Sequence, residues 1–181
     1  VEFYDSRLII CPGTLREEDG YGLSFQKVVG SYGSGSRSVN VQEAVSIVDY
    51  VCTSMIRHPD RTLGVVAMNK EQADLISDLM DERVRTDPEV AEYIRRWDES
   101  IEPFIIKNLE NVQGDERDVI CVSIVYGPQA DGQFRQNFGP VNGPMGHRRL
   151  NVLFSRAKFI TKVFCSFDPG DIRISQTSNR G

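Results

Sequence analysis

The chain has 181 residues, of which 40% are hydrophobic and 26% charged, and its formal net charge is −5. This length and composition are typical of one globular domain with a sizeable core. The acidic balance argues against an autonomous nucleic-acid-binding protein, which would usually carry a basic surface. No apolar stretch approaches the length of a membrane span, so we expect no membrane association.

The cysteines and histidines carry no metal signature. The four cysteines, at positions 11, 52, 121 and 165, lie in apolar stretches without CxxC spacing, and the two histidines are far apart. We therefore expect reduced core cysteines, no metal site and a cytoplasmic protein. Because the chain opens on Val1 and ends in a polar tail, we expect residues 1–181 to form a single domain cut from a longer protein.

The first forty residues contain short apolar runs separated by turn signals. Residues 7–11 form an apolar run before a Pro-Gly turn signal, and residues 25–29 alternate as a strand does. The glycine-rich residues 30–37 invite comparison with a phosphate-binding loop, but that loop needs a lysine followed by serine or threonine. No lysine is present there, so a flexible connector is predicted.

The rest of the chain alternates helices with strands. Asn40 and Glu43 fit a capping box ahead of a helix of about 17 residues that ends near His58. A second helix is predicted to begin after Asn69. This alternation predicts a three-layer α/β sandwich with a mainly parallel sheet. The remaining predicted elements are a helix over residues 89–97 and strands over residues 63–68, 104–107, 119–125 and 162–167.

A long segment over residues 127–147 interrupts this alternation. It contains five glycines and three prolines and has no apolar stripe with which to dock. A connection of this length is usually functional or mobile in a compact domain. We therefore predict a mobile loop.

The densest pattern lies at residues 149–158. On a helix, its apolar side chains form one stripe that would face a core. Arg149 and Arg156 are seven residues apart, close to two turns, so they would share another face. A helix fixed by apolar contacts can hold a guanidinium in one place, as recognition of a phosphate requires. The stripe comprises Leu150, Leu153, Phe154 and Ala157.

Three stretches together resemble motifs of superfamily 1 helicases. Residues 148–158 resemble motif VI, residues 111–125 resemble motif V, and the strand–loop–helix around residues 69–72 resembles motif IV. The match is to the branch that contains the nonsense-mediated-decay helicase and large bacterial relatives, and it extends from Phe3 to about Asp171. The resemblance implies the second, C-terminal RecA-like domain of an ATP-driven nucleic-acid motor.

The resemblance also implies which residues surround ATP. Arg156 would be an arginine finger, and Glu116 would touch the ribose or the water network at the γ-phosphate. Gly114 would let the backbone approach the nucleotide, while Gln72 and Arg149 complete the nucleotide-binding set. On the residues alone, Arg156 could be a surface arginine, Glu116 a solvated loop acid and Gln72 an exposed first-turn glutamine.

Contacts to nucleic acid should involve its backbone and should not depend on base sequence. The candidates, which lie on loops or at strand ends, are Asn69, Asn108 and Ser123. Asp118 is expected to be structural, either capping a turn or pairing with an arginine such as Arg149.

The chain contains neither the phosphate loop nor the magnesium-binding acid motif of a complete ATPase. The resemblance therefore implies that ATP binds between this domain and an N-terminal RecA-like domain of the same protein, which would hold most of the Mg²⁺ contacts. Single-stranded nucleic acid is the other implied partner, and the isolated domain is expected not to hydrolyse ATP. The alternative is a non-catalytic interaction module that kept the fold and lost the motor.

Overall fold

The computed structural model describes residues 21–33, 37–134 and 136–172. Within them, a five-stranded parallel sheet forms the centre of the fold, with strand order β1-β5-β4-β2-β3. The predicted α/β architecture with a parallel sheet is confirmed. The apolar run at residues 7–11 lies outside the described residues. The strands are β1 (Gly22–Lys27), β2 (Leu63–Ala67), β3 (Ile105–Asn108), β4 (Arg117–Ser123) and β5 (Ala157–Cys165).

Helices cover both faces of the sheet. One face packs against three helices through a core that includes Ile47, Ile76 and Cys121, while the other face packs against a short fourth helix through Leu153 and Val163. Burial on both faces explains why the central strands are continuously apolar, as parallel sheets require. The helices are α1 (Val41–Arg57), α2 (Lys70–Thr86), α3 (Pro88–Asp98) and α4 (Gly146–Phe154).

The helix predicted for motif VI is shorter than expected. The helix α4 ends at Phe154, Ser155 forms the C-cap, and Ala157 is already the first residue of β5. The helix cannot continue past this point because the backbone of Ala157 pairs with Arg117 of β4 as a strand. The predicted apolar stripe therefore ends at Leu153, which is buried, whereas Phe154 is exposed. Arg156 lies in the turn after the helix and not on its face.

The segment predicted to be a mobile loop has apolar anchors. It contains a short 3₁₀ helix, Gly139–Asn142, and its last residues belong to α4. The ring of Phe134 stacks on Phe167 with centroids 5.0 Å apart, and Phe138 packs edge-on against Tyr126. Isolated aromatic residues thus pack this segment against the domain without forming a periodic stripe, and its mobility stays a prediction.

Candidate functional site

The predicted site residues fall at opposite edges of the sheet. All five strands are parallel, so their amino ends lie at one edge and their carboxyl ends at the other. Glu116 and Arg156 precede β4 and β5, whereas Ser123 ends β4 and Gln72 contacts it. The seven residues of β4 span about 20 Å at roughly 3.3 Å per residue. The structure therefore does not bring Gln72 together with Glu116 and Arg156.

At the amino edge, the turn after α4 holds Arg156 in place. Its Nε donates to the carbonyl oxygen of Val152 over 3.0 Å, and a terminal nitrogen donates to Ser155 Oγ over 3.1 Å. Its other terminal nitrogen lies 3.9 Å from a carboxylate oxygen of Glu116. The carbonyl of Arg156 also accepts a bond from the backbone N–H of Arg117. Motifs V and VI thus meet at this turn, and Arg156 keeps a partly exposed guanidinium.

The loop that contains Gly114 and the helix α4 enclose a cavity. Gly114 has a φ of +91°, in the left-handed region that favours glycine, which turns the chain back toward β4. A cavity of about 290 Å³ lies between the loop after β3 and α4, and its walls include Gln113 and Arg149. Arg149 donates to the carbonyl oxygen of Pro140 over 2.7 Å and lies 3.9 Å from Glu110. Its guanidinium is held at the rim of this cavity.

Asp118 is structural, as expected, but its partner is not Arg149. Its carboxylate accepts the backbone N–H of Thr62 over 2.8 Å, and its own backbone N–H donates to the Thr62 hydroxyl over 2.8 Å. The neighbouring Arg117 is almost completely buried, and its Nε donates to the carbonyl oxygen of Pro103 over 2.7 Å. These hydrogen bonds hold the start of β4 against the loops that contain Thr62 and Pro103. The sequence pattern did not indicate these partners.

At the carboxyl edge, Gln72 is fully buried and each polar atom of its amide is bonded. Its Oε1 accepts the backbone N–H of Asn40 over 2.9 Å. Its Nε2 donates to the Asn40 carbonyl over 3.0 Å and to Ser123 Oγ over 3.1 Å. The amide thus joins the starts of α1 and α2 to the end of β4, so the alternative of an exposed first-turn glutamine is wrong.

The predicted capping box before α1 is only half formed. The Asn40 side chain accepts the backbone N–H of Glu43 over 3.2 Å, as an N-cap does. The Glu43 carboxylate does not return to the Asn40 N–H, which is bonded to Gln72 instead. It turns into the protein, where it accepts bonds from the Ser123 hydroxyl over 2.6 Å and the Val125 N–H over 2.8 Å. Burial raises the pKa of Glu43 to about 7.

The predicted nucleic-acid contacts differ in accessibility. Ser123 is fully buried and its hydroxyl both accepts from Gln72 and donates to Glu43, so in this conformation it has no path to a ligand. Asn69 is the N-cap of α2 and bonds to the Ser38 carbonyl over 2.7 Å. Asn108 ends β3 and accepts the backbone N–H of Asn111 over 3.1 Å. Asn69 and Asn108 are partly exposed at the carboxyl edge.

The donor set fits phosphate better than metal. The described residues include no group of three or more His, Cys, Asp or Glu side chains that could hold a metal ion. Arg149 on α4 and Arg156 in the turn after it supply the fork-shaped donors that suit phosphate oxygens.

In the part of the chain that the structure describes, no helix is long and apolar enough to cross a membrane.

Comparison with known proteins supports a helicase domain. A family model described as "AAA domain" matches residues 22–168. An uncharacterised ATP-dependent helicase of Mycoplasma genitalium is 36% identical over 128 residues, and its homologue in Mycoplasma pneumoniae is 34% identical over the same length. In each case the match covers 69% of this chain and 11% of the relative, so the chain spans about a tenth of their length.

Among solved structures, the C-terminal domain of a possible DNA helicase from Lactobacillus plantarum is similar, with a TM-score of 0.45 and 11% identity over 82% of this chain and 76% of that chain. The family match and the curated relatives, which are named ATP-dependent helicases, support the resemblance to a helicase domain.

Proposed function

This chain belongs to the AAA domain family, and from that premise we propose that it forms the second motor domain of an ATP-dependent DNA or RNA helicase. Its relatives that carry the name ATP-dependent helicase support this assignment. The observation that carries the proposal is the meeting of the motif V and motif VI matches at one edge of the sheet. There, the Arg156 guanidinium lies 3.9 Å from Glu116.

In this proposal the nucleotide lies against the amino edge and α4. Arg156 reaches across a cleft to the γ-phosphoryl group, Arg149 binds phosphate from the rim of the neighbouring cavity, and Gly114 admits the nucleotide close to the backbone. Glu116 lies beside the finger and binds the ribose or orders water at the γ-phosphate. ATP bound with Mg²⁺ supplies a phosphoryl group whose transfer to water releases the energy for movement. This chain contributes positive charge where negative charge grows during transfer.

The carboxyl edge then forms half of a track for single-stranded nucleic acid. Asn69 lies after β2 and Asn108 ends the neighbouring strand β3. Both are polar and partly exposed, which suits contacts to a phosphate backbone that do not depend on base sequence. Gln72 is fully buried, and both hydrogens and the oxygen of its amide are hydrogen-bonded within the protein. We therefore assign Gln72 to organising this track, in place of the nucleotide contact that its motif suggests.

The other half of the ATP site lies on an N-terminal RecA-like domain of the full-length protein. That domain supplies the phosphate loop, which this sequence lacks, and most of the Mg²⁺ contacts, since the described residues contain no metal-binding cluster. A cytoplasmic setting is part of the proposal; the described cysteines, Cys52, Cys121 and Cys165, are buried and free.

Comparing ATP turnover of the 181-residue chain with that of the full-length protein tests this division, with and without single-stranded DNA and RNA. The expected result is no turnover by the chain alone and nucleic-acid-stimulated turnover by the full-length protein. ATPase activity that follows the chain through every purification step would overturn the split-site proposal. A full-length protein without activity would favour the interaction module.

A further inference from the structure

The carboxyl edge of the sheet encloses a carboxylate that has no positively charged partner. Glu43 is fully buried, and none of the ion pairs among the described residues includes it. Its three bonds come from the hydroxyls of Ser123 (2.6 Å) and Ser166 (3.5 Å) and from the N–H of Val125 (2.8 Å). A buried carboxylate held only by neutral donors is costly, so its presence needs a reason other than stability.

The direction of the hydrogen bonds shows which form of Glu43 the network accommodates. Ser123 Oγ accepts a bond from Gln72 Nε2, so its own hydrogen is directed to Glu43. Ser166 Oγ accepts a bond from Asn40 Nδ2 over 2.6 Å and lies 3.5 Å from the other carboxylate oxygen of Glu43. The two short donors, the Ser123 hydroxyl and the Val125 N–H, meet at the same carboxylate oxygen, and both bonds are strongest when Glu43 is ionised.

One of these bonds holds a strained turn. Val125 has a φ of +61°, which is unusual for a β-branched residue. The Tyr126 N–H donates to the Ile124 carbonyl over 2.6 Å, which closes a three-residue turn around it. The Val125 N–H in this turn donates to Glu43, and the Asn69 side chain lies close to the Tyr126 hydroxyl. A chain of contacts thus runs from the buried carboxylate to a partly exposed asparagine.

We propose that Glu43 is a positioning residue for binding of single-stranded nucleic acid: its ionised carboxylate holds the turn at Val125, and through Tyr126 it fixes Asn69 at the carboxyl edge of the sheet. This inference rests on the nucleic-acid track proposed above. Glu43 itself touches no ligand. Its role is to keep the loops after β2 and β4 in one arrangement, at the expense of burying a charge.

The inference predicts a dependence on pH. Because burial raises the pKa of Glu43 to about 7, the ionised form that holds the turn is lost as the pH falls below neutrality. The Cys165 thiol at the end of β5 also faces this region, and its pKa is raised chiefly by its own burial. Tyr32 and Glu71, at the start of α2, both act electrostatically on Tyr126. A Glu43→Gln variant separates its contribution from theirs.

The first experiment measures binding of labelled oligouridylate and oligothymidylate to the full-length protein by fluorescence anisotropy between about pH 6 and pH 8. In the wild type, affinity should rise with pH with a midpoint near the pKa of Glu43. The isosteric Glu43→Gln should bind about tenfold more weakly at the upper end of the range, because neutral hydrogen bonds are roughly half as strong as charge-assisted ones. The affinity of Glu43→Gln should not change with pH around the pKa of Glu43. The control is Glu82→Gln, on the exposed face of α2.

Thermal melting distinguishes positioning from general support of the fold. Removing a buried charge should leave the melting temperature of Glu43→Gln at the upper pH equal to or above that of the wild type, although binding falls. A residue needed only for folding would lower both. Equal affinity and an equal pH profile in the wild type and Glu43→Gln would overturn the proposal, as would a loss of binding that is fully matched by a loss of stability.

A second experiment does not depend on the proposed function. In NMR spectra of the 181-residue chain, the Val125 amide resonance should titrate with a midpoint near neutral pH in the wild type and should stay fixed in Glu43→Gln. If the wild-type full-length protein fails to bind either oligonucleotide, the proposed function falls, while this titration still decides whether Glu43 controls the turn. A Val125 resonance that is insensitive to pH would overturn that control.

Discussion

Replacing Gln72 by alanine tests whether its amide is committed to the buried network. Three side-chain bonds would be lost, two to the backbone of Asn40 and one to Ser123. The Asn40 carbonyl would keep the Ala44 N–H and Ser123 would keep Glu43, but the Asn40 N–H would lose its partner. An orphaned buried donor costs about 1–3 kcal/mol and each further bond about 1 kcal/mol, so we expect a destabilisation of roughly 3 kcal/mol.

Urea unfolding followed by circular dichroism measures this change, and the melting temperature should fall by about 6–12 °C. The control is Lys70→Ala in the same first turn of α2, where only an exposed ion pair with Asp74 is lost and the expected change is below about 0.5 kcal/mol. If Gln72→Ala were as stable as Lys70→Ala, the amide would not be engaged in solution, and Gln72 would again be available to a nucleotide.

Two further predictions concern the core and the effect of pH. Leu153→Ala should destabilise the chain by about 2–5 kcal/mol because Leu153 is fully buried, whereas its exposed neighbour Phe154→Ala should cost less than about 1 kcal/mol; denaturant midpoints of the two variants check this. Because the folded-state pKa of Glu43 lies above its ordinary value of 4.5, the stability it contributes below pH 4.5 should be lost as the pH rises toward 7. The loss is roughly 3 kcal/mol, and unfolding curves of Glu43→Gln should lack this component.

Sequence periodicity predicted the parts of the fold that local patterns determine. The helix after Asn40 ends at Arg57, next to the predicted end at His58, and the strand predicted at residues 63–68 is observed as Leu63–Ala67. The error at motif VI arose because pairing of β5 with its neighbours ends the helix before Arg156. Hydrogen bonding to a distant strand overrides local helix propensity. A local residue pattern contains no information about such a distant partner.

The sequence could indicate candidate site residues only where they lie within one short motif. Gly114 and Glu116 belong to one such motif and Arg156 to another, and the fold brings the two motifs together. The network around Glu43 does not, because its side-chain partners Ser123 and Ser166 lie 80 and 123 residues further along the chain. The Asn-x-x-Glu pattern predicts where the helix begins, but it does not indicate that the Glu43 side chain turns into the protein.

The central claim is that Arg156 acts on the transferring phosphoryl group of ATP. Steady-state ATPase of the full-length protein with saturating single-stranded nucleic acid tests it most directly, comparing Arg156→Ala with Arg85→Ala, whose arginine is exposed on α2. Arginine fingers contribute about 10³–10⁵ in rate, and we expect turnover by Arg156→Ala to fall by about 10³-fold with ATP-analogue affinity and melting temperature nearly unchanged. Arg156→Lys should restore little, because an ammonium lacks the planar fork. Near-normal turnover by a folded Arg156→Ala variant would contradict the account and leave the domain as an interaction module.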